Sequence, residues 1–324
     1  MKTITLEEHY VSPSFLEGPG KGLKEEAKNP ASYIGRLFGQ LCDLGDKRIA
    51  EMNAAGIDVQ VLSLNSPGVE QLDAEQSKKI AKQTNDFLAG AVKSHPQRFA
   101  AFATLPTADP KAAATELERT VRDYDFKGAI INGHVKGRYL DDKFFWPILE
   151  RAEALHVPIY LHPTQPPQGV IDASYSGFDP AITNMLIGAG WGWHIETAVH
   201  VIRLILGGVF DQYPELQIII GHMGETLPFM LQRMDRIMST ETTRLKRPMS
   251  TYLRENIHYT FSGLNYTSVF LLLLMEVGVD RIMFSVDYPY ASMAQGKDFL
   301  DKLPVSAADK DRIAHENAER LLKI

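Results

Sequence analysis

The feature that most constrains this chain is a repeated alternation. Short apolar runs of β type are separated, again and again, by longer stretches with helical spacing. The runs are TITLEE near residue 4, VQVLSLN from Val59, FAAFATLP from Phe99, GAIING from Gly128, PIYLHP from Pro158, QIIIGH from Gln217, IHYTFSG from Ile257 and RIMFSVD from Arg281. Most are continuously apolar, as expected of a parallel sheet covered on both faces. Between them, DKRIAEMNAAG stops at Gly56, and DPKAAATELERTVRDY starts with Asp109 capping Pro110. From Ile195 the apolar residues Ala198, Val199, Ile202, Ile205 and Leu206 recur at helical spacing. Eight alternations in 324 residues predict an α/β chain, a single (β/α)8 TIM barrel over residues 1–324. An open doubly wound sheet is the alternative, but EEHYVSP stands after the first run where a glycine-rich phosphate turn would be. Ser12 to Gly45 reads as a long loop insertion after the first strand, placed to shape or cover an active site.

Composition narrows the partners. The net charge of -6 is spread along the chain with no basic block, which argues against nucleic acid. The single Cys42 excludes a disulfide framework and a cysteine zinc site, and reads as a buried or half-buried thiol. The longest apolar run, VFLLLLMEVGV, is short and interrupted by Glu276, and the start of the chain lacks a basic-then-apolar leader. A cytoplasmic protein without a membrane partner is the expectation.

In a parallel barrel the chemistry gathers at the C-terminal ends of the strands. Those ends carry Glu7 and His9, then Asn65, Asn132, His162, His222, Ser262 and Asp287. Side chains alternate along a strand, so Glu7 and His9 share one face and Glu8 takes the other. Singly, a strand-end histidine is more often structural than a ligand. Together, imidazoles and carboxylates suit a borderline divalent ion such as Zn²⁺ or Mn²⁺. His95, His156 and His315 read as surface or packing residues, and His134, His194 and His200 as modest candidates for supporting roles.

At these residues the chain resembles the metal-dependent amidohydrolase superfamily. It is most similar to the non-oxidative decarboxylases of hydroxylated benzoic acids, the γ-resorcylate, 2,3-dihydroxybenzoate and 5-carboxyvanillate decarboxylases. LEEH, KGAIING, PIYLHP, HIETAVHVIRLILGGVFDQYPELQIIIGHMGE and DRIMFSVDYPY carry the resemblance, which spans nearly the whole chain. It implies metal ligation by Glu7, His9, His162 and Asp287. It implies one ion, because the fourth run ends in IING where binuclear relatives have a bridging lysine, and Lys127 lies at its beginning. His222 with Glu225 resembles the catalytic histidine and its orienting carboxylate. Arg48 matches an arginine near the substrate pocket, Asn132 a residue that contacts ring hydroxyls, and Arg233 an arginine that reaches a neighbouring subunit's site. Asn65 joins the substrate-binding candidates from its strand end.

The implied activity is a carboxy-lyase. A divalent metal would ionise an ortho hydroxyl of a small aromatic carboxylate, Asp287 would protonate the ring carbon, and His222 would balance or shuttle the proton. The implied assembly is a homodimer or homotetramer with shared active sites. A mononuclear hydrolase of a lactone or amide is the alternative on the same fold, and a barrel with a structural metal is the non-enzymatic one.

Overall fold

The computed structural model describes residues 1–324. Its strands are β1 (Ile4–Tyr10), β2 (Val59–Leu64), β3 (Phe99–Ala101), β4 (Ala103–Thr104), β5 (Ala129–Asn132), β6 (Ile159–His162), β7 (Ile218–Ile220), β8 (Ile257–Thr260) and β9 (Ile282–Met283). All are parallel, in one sheet ordered β1-β2-β3 and another running in sequence from β4 to β9. The chain is thus α/β with parallel sheets.

The expected eight strands appear as nine segments because the third run is interrupted at Phe102. The Phe102 N–H still donates to Leu62 O, and the Ala103 N–H donates to Gly128 O, each at 2.9 Å. At the opposite edges, pairing shrinks to a single parallel bridge between Leu6 and Ser285, with the Leu6 N–H donating to Phe284 O at 3.3 Å. One buried cluster nevertheless joins side chains from both sheets, including Ile4, Val61, Phe102, Tyr160, Ile219 and Met283. A flat sheet could not bring its first and last strands into one such cluster. The alternate residues, among them Leu62, Ile131, Leu161, Ile220 and Phe284, pack into a second and larger core with the helices.

Helix ends follow the sequence signals. Asp46–Ala55 ends on left-handed Gly56 (φ 73°), and Pro110–Tyr124 begins with the Asp109 side chain accepting the Ala112 N–H. The Ser12–Gly45 segment is more ordered than a loop. It holds helices Pro13–Leu16, Lys21–Glu26 and Tyr33–Cys42, because Ser12 and Ser32 cap two of them and Phe15 and Leu41 are buried beneath. A second excursion, residues 163–191, separates β6 from helix Gly192–Leu206 and leaves Phe178 and Met185 more than half exposed. Cys42 is exposed at its helix end, contrary to the expected buried or half-buried thiol, because the core-facing position there goes to Leu41. No helix is long and apolar enough to cross a membrane.

Candidate active site and metal centre

The site begins with an irregularity in β1. Strict alternation would turn Leu6 away from Glu7's face. Instead the pairing of β1 with β2 shifts between Thr5 and Glu8, and Glu7 takes φ 66°. This bulge lets Leu6 join the inner cluster while Glu7, one residue later, also points inward. His9 follows on the inner side and Glu8 on the outer. A positive φ at glutamate costs about 1–3 kcal/mol. Contacts far along the chain hold it, since the Tyr160 and Ser262 hydroxyls both donate to Glu7 Oε2. Glu8 takes the opposite face of β1 as expected, and is fully buried there. It accepts the Val286 N–H at 3.0 Å and the Gln60 amide at 3.2 Å, and burial pushes its carboxyl up to about 8.

Four of the predicted residues converge. His9 Nε2 lies 3.1 Å from Asp287 Oδ1, and His162 Nε2 lies 3.3 Å from Glu7 Oε1. Ligand atoms of Glu7, His9 and His162 lie within 4.8 Å of one another. Glu7 Oε1, both His9 ring nitrogens and His162 Nδ1 are buried without a hydrogen-bond partner. Such orphans are costly unless something satisfies them. One cation between these side chains would satisfy Glu7 Oε1 and one nitrogen of His9. Ligands about 2.1 Å from one ion sit roughly 3.0–3.4 Å apart, the separation of these pairs. With Oε2 held by two hydroxyls, Oε1 is the oxygen free to ligate an ion.

The electrostatics agree. Burial opposes charge on Glu7, but His222, His162 and His9 outweigh it and hold the carboxyl well below its ordinary value. Burial pushes His9 down to about 4, so it is neutral and able to ligate. Burial and then Glu7 raise Asp287 well above the usual carboxylate range. Asp287 also has positive φ, 71°, and keeps 18% of its side chain exposed.

After β7 the backbone is left-handed at His222, Met223, Gly224, Glu225 and Thr226. This tight turn aims His222 at Glu7, with Nε2 3.8 Å from Oε1, and folds Glu225 back so that Oε1 meets His222 Nδ1 at 2.7 Å. Burial alone would lower His222, but Glu225 and Glu7 push it up to about 10. Glu225 Oε2 also meets His194 Nδ1 at 2.6 Å, and His194 Nε2 reaches Ala189 O at 2.9 Å. His194 is therefore part of the site. His134 and His200 make no such contact. His134 bonds to the backbone at Gln165 and Gly137, and His200 accepts the Leu140 N–H at 2.9 Å.

The remaining predicted residues divide. Arg48 is fully buried behind β1, its guanidinium donating to His9 O at 2.5 Å and Gln40 O at 3.1 Å and stacking 4.6 Å from the Tyr288 ring. Asn65 is held between Ser66 O and the Tyr290 hydroxyl. Asn132 is adjacent to His162 across β5 and β6. Arg233 is exposed on helix Leu227–Ile237. Three residues were not foreseen. Tyr290 and Trp193 set their rings edge-on to His9 and His162, at 5.7 and 6.4 Å. Glu70, fully buried, accepts the Asn132 N–H at 2.8 Å, and burial pushes its carboxyl up to about 7. A carboxylate just after SPGV reads as solvated; only its nearness to the end of β2, six residues earlier, marks it.

Residues 40–324 match the amidohydrolase family model. A gamma-resorcylate decarboxylase of Polaromonas sp. strain JS666 is 38% identical over 99% of this chain and 98% of its own. A 2,6-dihydroxybenzoate decarboxylase solved with 2,6-dihydroxybenzoate superposes with a TM-score of 0.89 at 37% identity, covering 100% of both chains. A 5-carboxyvanillate decarboxylase of Novosphingobium aromaticivorans, solved with manganese and 4-hydroxy-3-methoxy-5-nitrobenzoic acid, gives 0.91 at 35% identity, covering 100% of this chain and 96% of that one.

Proposed function

The chain belongs to the amidohydrolase family, and from that membership we propose how its site works. It is a metal-dependent non-oxidative decarboxylase of ortho-hydroxylated benzoic acids, a carboxy-lyase that can run backwards to carboxylate a phenol. The alternative, a lactone or amide hydrolase, lacks the support that full-length decarboxylase relatives give this reading. We read the two sheets as one (β/α)8 barrel forming a single domain. The Leu6–Ser285 bridge and the one-residue break at Phe102 support that reading.

The observation that carries the function is the convergence of Glu7, His9, His162 and Asp287 with their unpartnered buried atoms. These four would hold one divalent ion, Mn²⁺ or Zn²⁺, and the manganese in a structural relative supports the former. When bound, the ion supplies positive charge that lowers the pKa of an ortho hydroxyl. The carboxylate substrate must gain one proton at the ring carbon as it loses carbon dioxide. Asp287, partly open to the pocket and beside His9, delivers that proton. His222, oriented through Nδ1 by Glu225, holds or passes a proton from Nε2. Asn65 and Asn132 position the ring, and Arg48 acts from behind by fixing the His9 carbonyl.

We further assign a cytoplasmic homodimer or homotetramer with shared sites. Helix Leu227–Ile237 buries Leu231 and Met234 but turns Phe229 (76% exposed), Met230 and Ile237 outward around Arg233. The functional test is metal analysis of the purified protein, then carbon dioxide release from a panel of salicylates before and after chelation. Release that vanishes on chelation and returns with Mn²⁺ is the expected result. Metal-dependent hydrolysis of a lactone panel without carbon dioxide release would replace this function with the alternative.

A further inference from the structure

Asn132 and Glu70 together bear on which ring substituent the site accepts. Asn132 ends β5 beside His162, and alternation from Ile130 in the inner cluster directs its side chain inward. It is 1% exposed. Its amide is held from one side only. Glu70 Oε1 accepts the Asn132 backbone N–H at 2.8 Å and lies 3.5 Å from Nδ2, while Oε2 accepts the Val69 N–H at 2.7 Å. Gly68, with φ 61°, presses on the same pair. Any side chain there would collide with Glu70 Oε2 and Asn132 Nδ2. Nδ2 is therefore seated against the β2 loop. Oδ1 points the other way and is buried with no hydrogen-bond partner.

The orientation is chemically one-way. Both Glu70 oxygens accept backbone N–H groups, which favours the ionised form, and as a carboxylate it presents only acceptors. Turning Oδ1 towards it would set oxygen against oxygen and strand Nδ2 instead. A buried amide oxygen without a donor is costly until a ligand brings one.

We propose that Glu70 is a specificity-determining positioning residue: it locks the Asn132 amide so that Oδ1 faces the ring as an acceptor, and so selects substrates with a free hydroxyl there over their methyl ethers. The inference rests on the decarboxylase reading. A hydroxyl donates to Oδ1. A methoxy oxygen cannot, and would bury a second acceptor against the first.

The test compares dihydroxybenzoates with their monomethyl ethers, each retaining one ortho hydroxyl: 2,6-dihydroxybenzoate with 2-hydroxy-6-methoxybenzoate, and 2,3-dihydroxybenzoate with 2-hydroxy-3-methoxybenzoate. With metal-loaded wild type, kcat/KM should favour the hydroxyl member of at least one pair by about tenfold or more, as for a site built around a substrate hydroxyl. Glu70→Gln frees the amide to turn and donate, so that ratio should fall at least about fivefold, with the ether gaining relative to the hydroxyl compound. Asn132→Ser, whose hydroxyl both donates and accepts, should compress the ratio in the same direction. A merely structural Glu70 would lower both members of a pair alike. Should Glu70→Gln fail to fold, Glu70→Asp takes its place, because its shorter side chain withdraws the carboxylate from Nδ2 while keeping its charge. A wild type indifferent to methylation, or a folded variant with an unchanged ratio, overturns the proposal. Absence of carbon dioxide release from every substrate would instead overturn the decarboxylase reading.

Discussion

The buried guanidinium of Arg48 donates to the backbone carbonyl of His9 at 2.5 Å. A side chain from the helix after the insertion thus fixes the last turn of the strand that carries two proposed ligands. The same group holds Gln40 O and stacks on Tyr288, the residue after Asp287. Arg48→Lys keeps the charge but offers a single ammonium, which cannot span both carbonyls and stack on the ring. The substitution should weaken metal binding about 10–100-fold, as loss of a ligand's supporting contact does, and cost about 2–4 kcal/mol of stability. Mn²⁺ titration and thermal melting measure the two effects. Wild-type values for both would show the contact to be idle.

For His222 the variant to make is Asn. Position 222 has φ 50°, in the left-handed region that asparagine tolerates better than most residues. His222→Asn should therefore leave fold and metal content nearly intact. Carbon dioxide release should drop by about 10²-fold or more, the scale of lost acid–base catalysis. Turnover close to wild type would make the histidine structural.

These two residues also show what the sequence could and could not carry. The parallel strand order and the polar strand-end residues were legible because most of the apolar runs are continuous and all but the third end in polar residues. The bulge at Glu7 was not, because a one-residue shift of register is settled by Tyr160 and Ser262, far away in sequence. His194 was underweighted because nothing local reveals that Glu225 folds back to meet two imidazoles. The helices within Ser12–Gly45 were missed because glycine and proline in EGPGKG outweighed the serine caps in a reading by composition. In LPFMLQRMDRI the apolar residues Leu227, Met230, Leu231, Met234 and Ile237 recur at helical spacing, which alone cannot tell that Met230 and Ile237 face outward while the others are buried.

Stability should fall in mild acid through two histidines outside the site. His200 accepts the Leu140 N–H, and His258 sits between Gln217 and Arg281. Burial pushes each down to about 3 from an ordinary value of 6.5. Between those values the unfolded chain binds a proton that the folded one refuses, so stability rises with pH. The contribution is complete above 6.5 and is lost as pH falls towards 3, at about 1.4 kcal/mol per pH unit for each group. Denaturant melts between pH 4 and 7 should be flatter for His200→Gln than for wild type. Equal slopes would mean that His200 charges freely in the folded state.

The last prediction concerns Arg233, which in one chain has no ion-pair partner and stands among exposed Phe229, Met230 and Ile237. A lone arginine on a solvated helix face would be unremarked. Here it sits in an apolar patch, where association would bury the surrounding side chains and leave the guanidinium needing an acceptor. A substrate carboxylate in the neighbouring subunit's pocket is the acceptor our reading supplies, and the planar fork pairs with it in two bonds. The protein should then be at least a dimer, and activity should fall when it is diluted below its dissociation constant. Complementation sharpens the test. Arg233→Ala and Asp287→Asn should each be nearly inactive alone. Under subunit exchange, a mixed dimer contains one site whose arginine and aspartate come from different intact copies. Up to about half of the dimers form as this hybrid with one working site, so recovery should approach roughly a quarter of wild-type activity if Arg233 reaches its neighbour. Proven exchange with no recovery, or a fully active monomer, would assign Arg233 to its own chain.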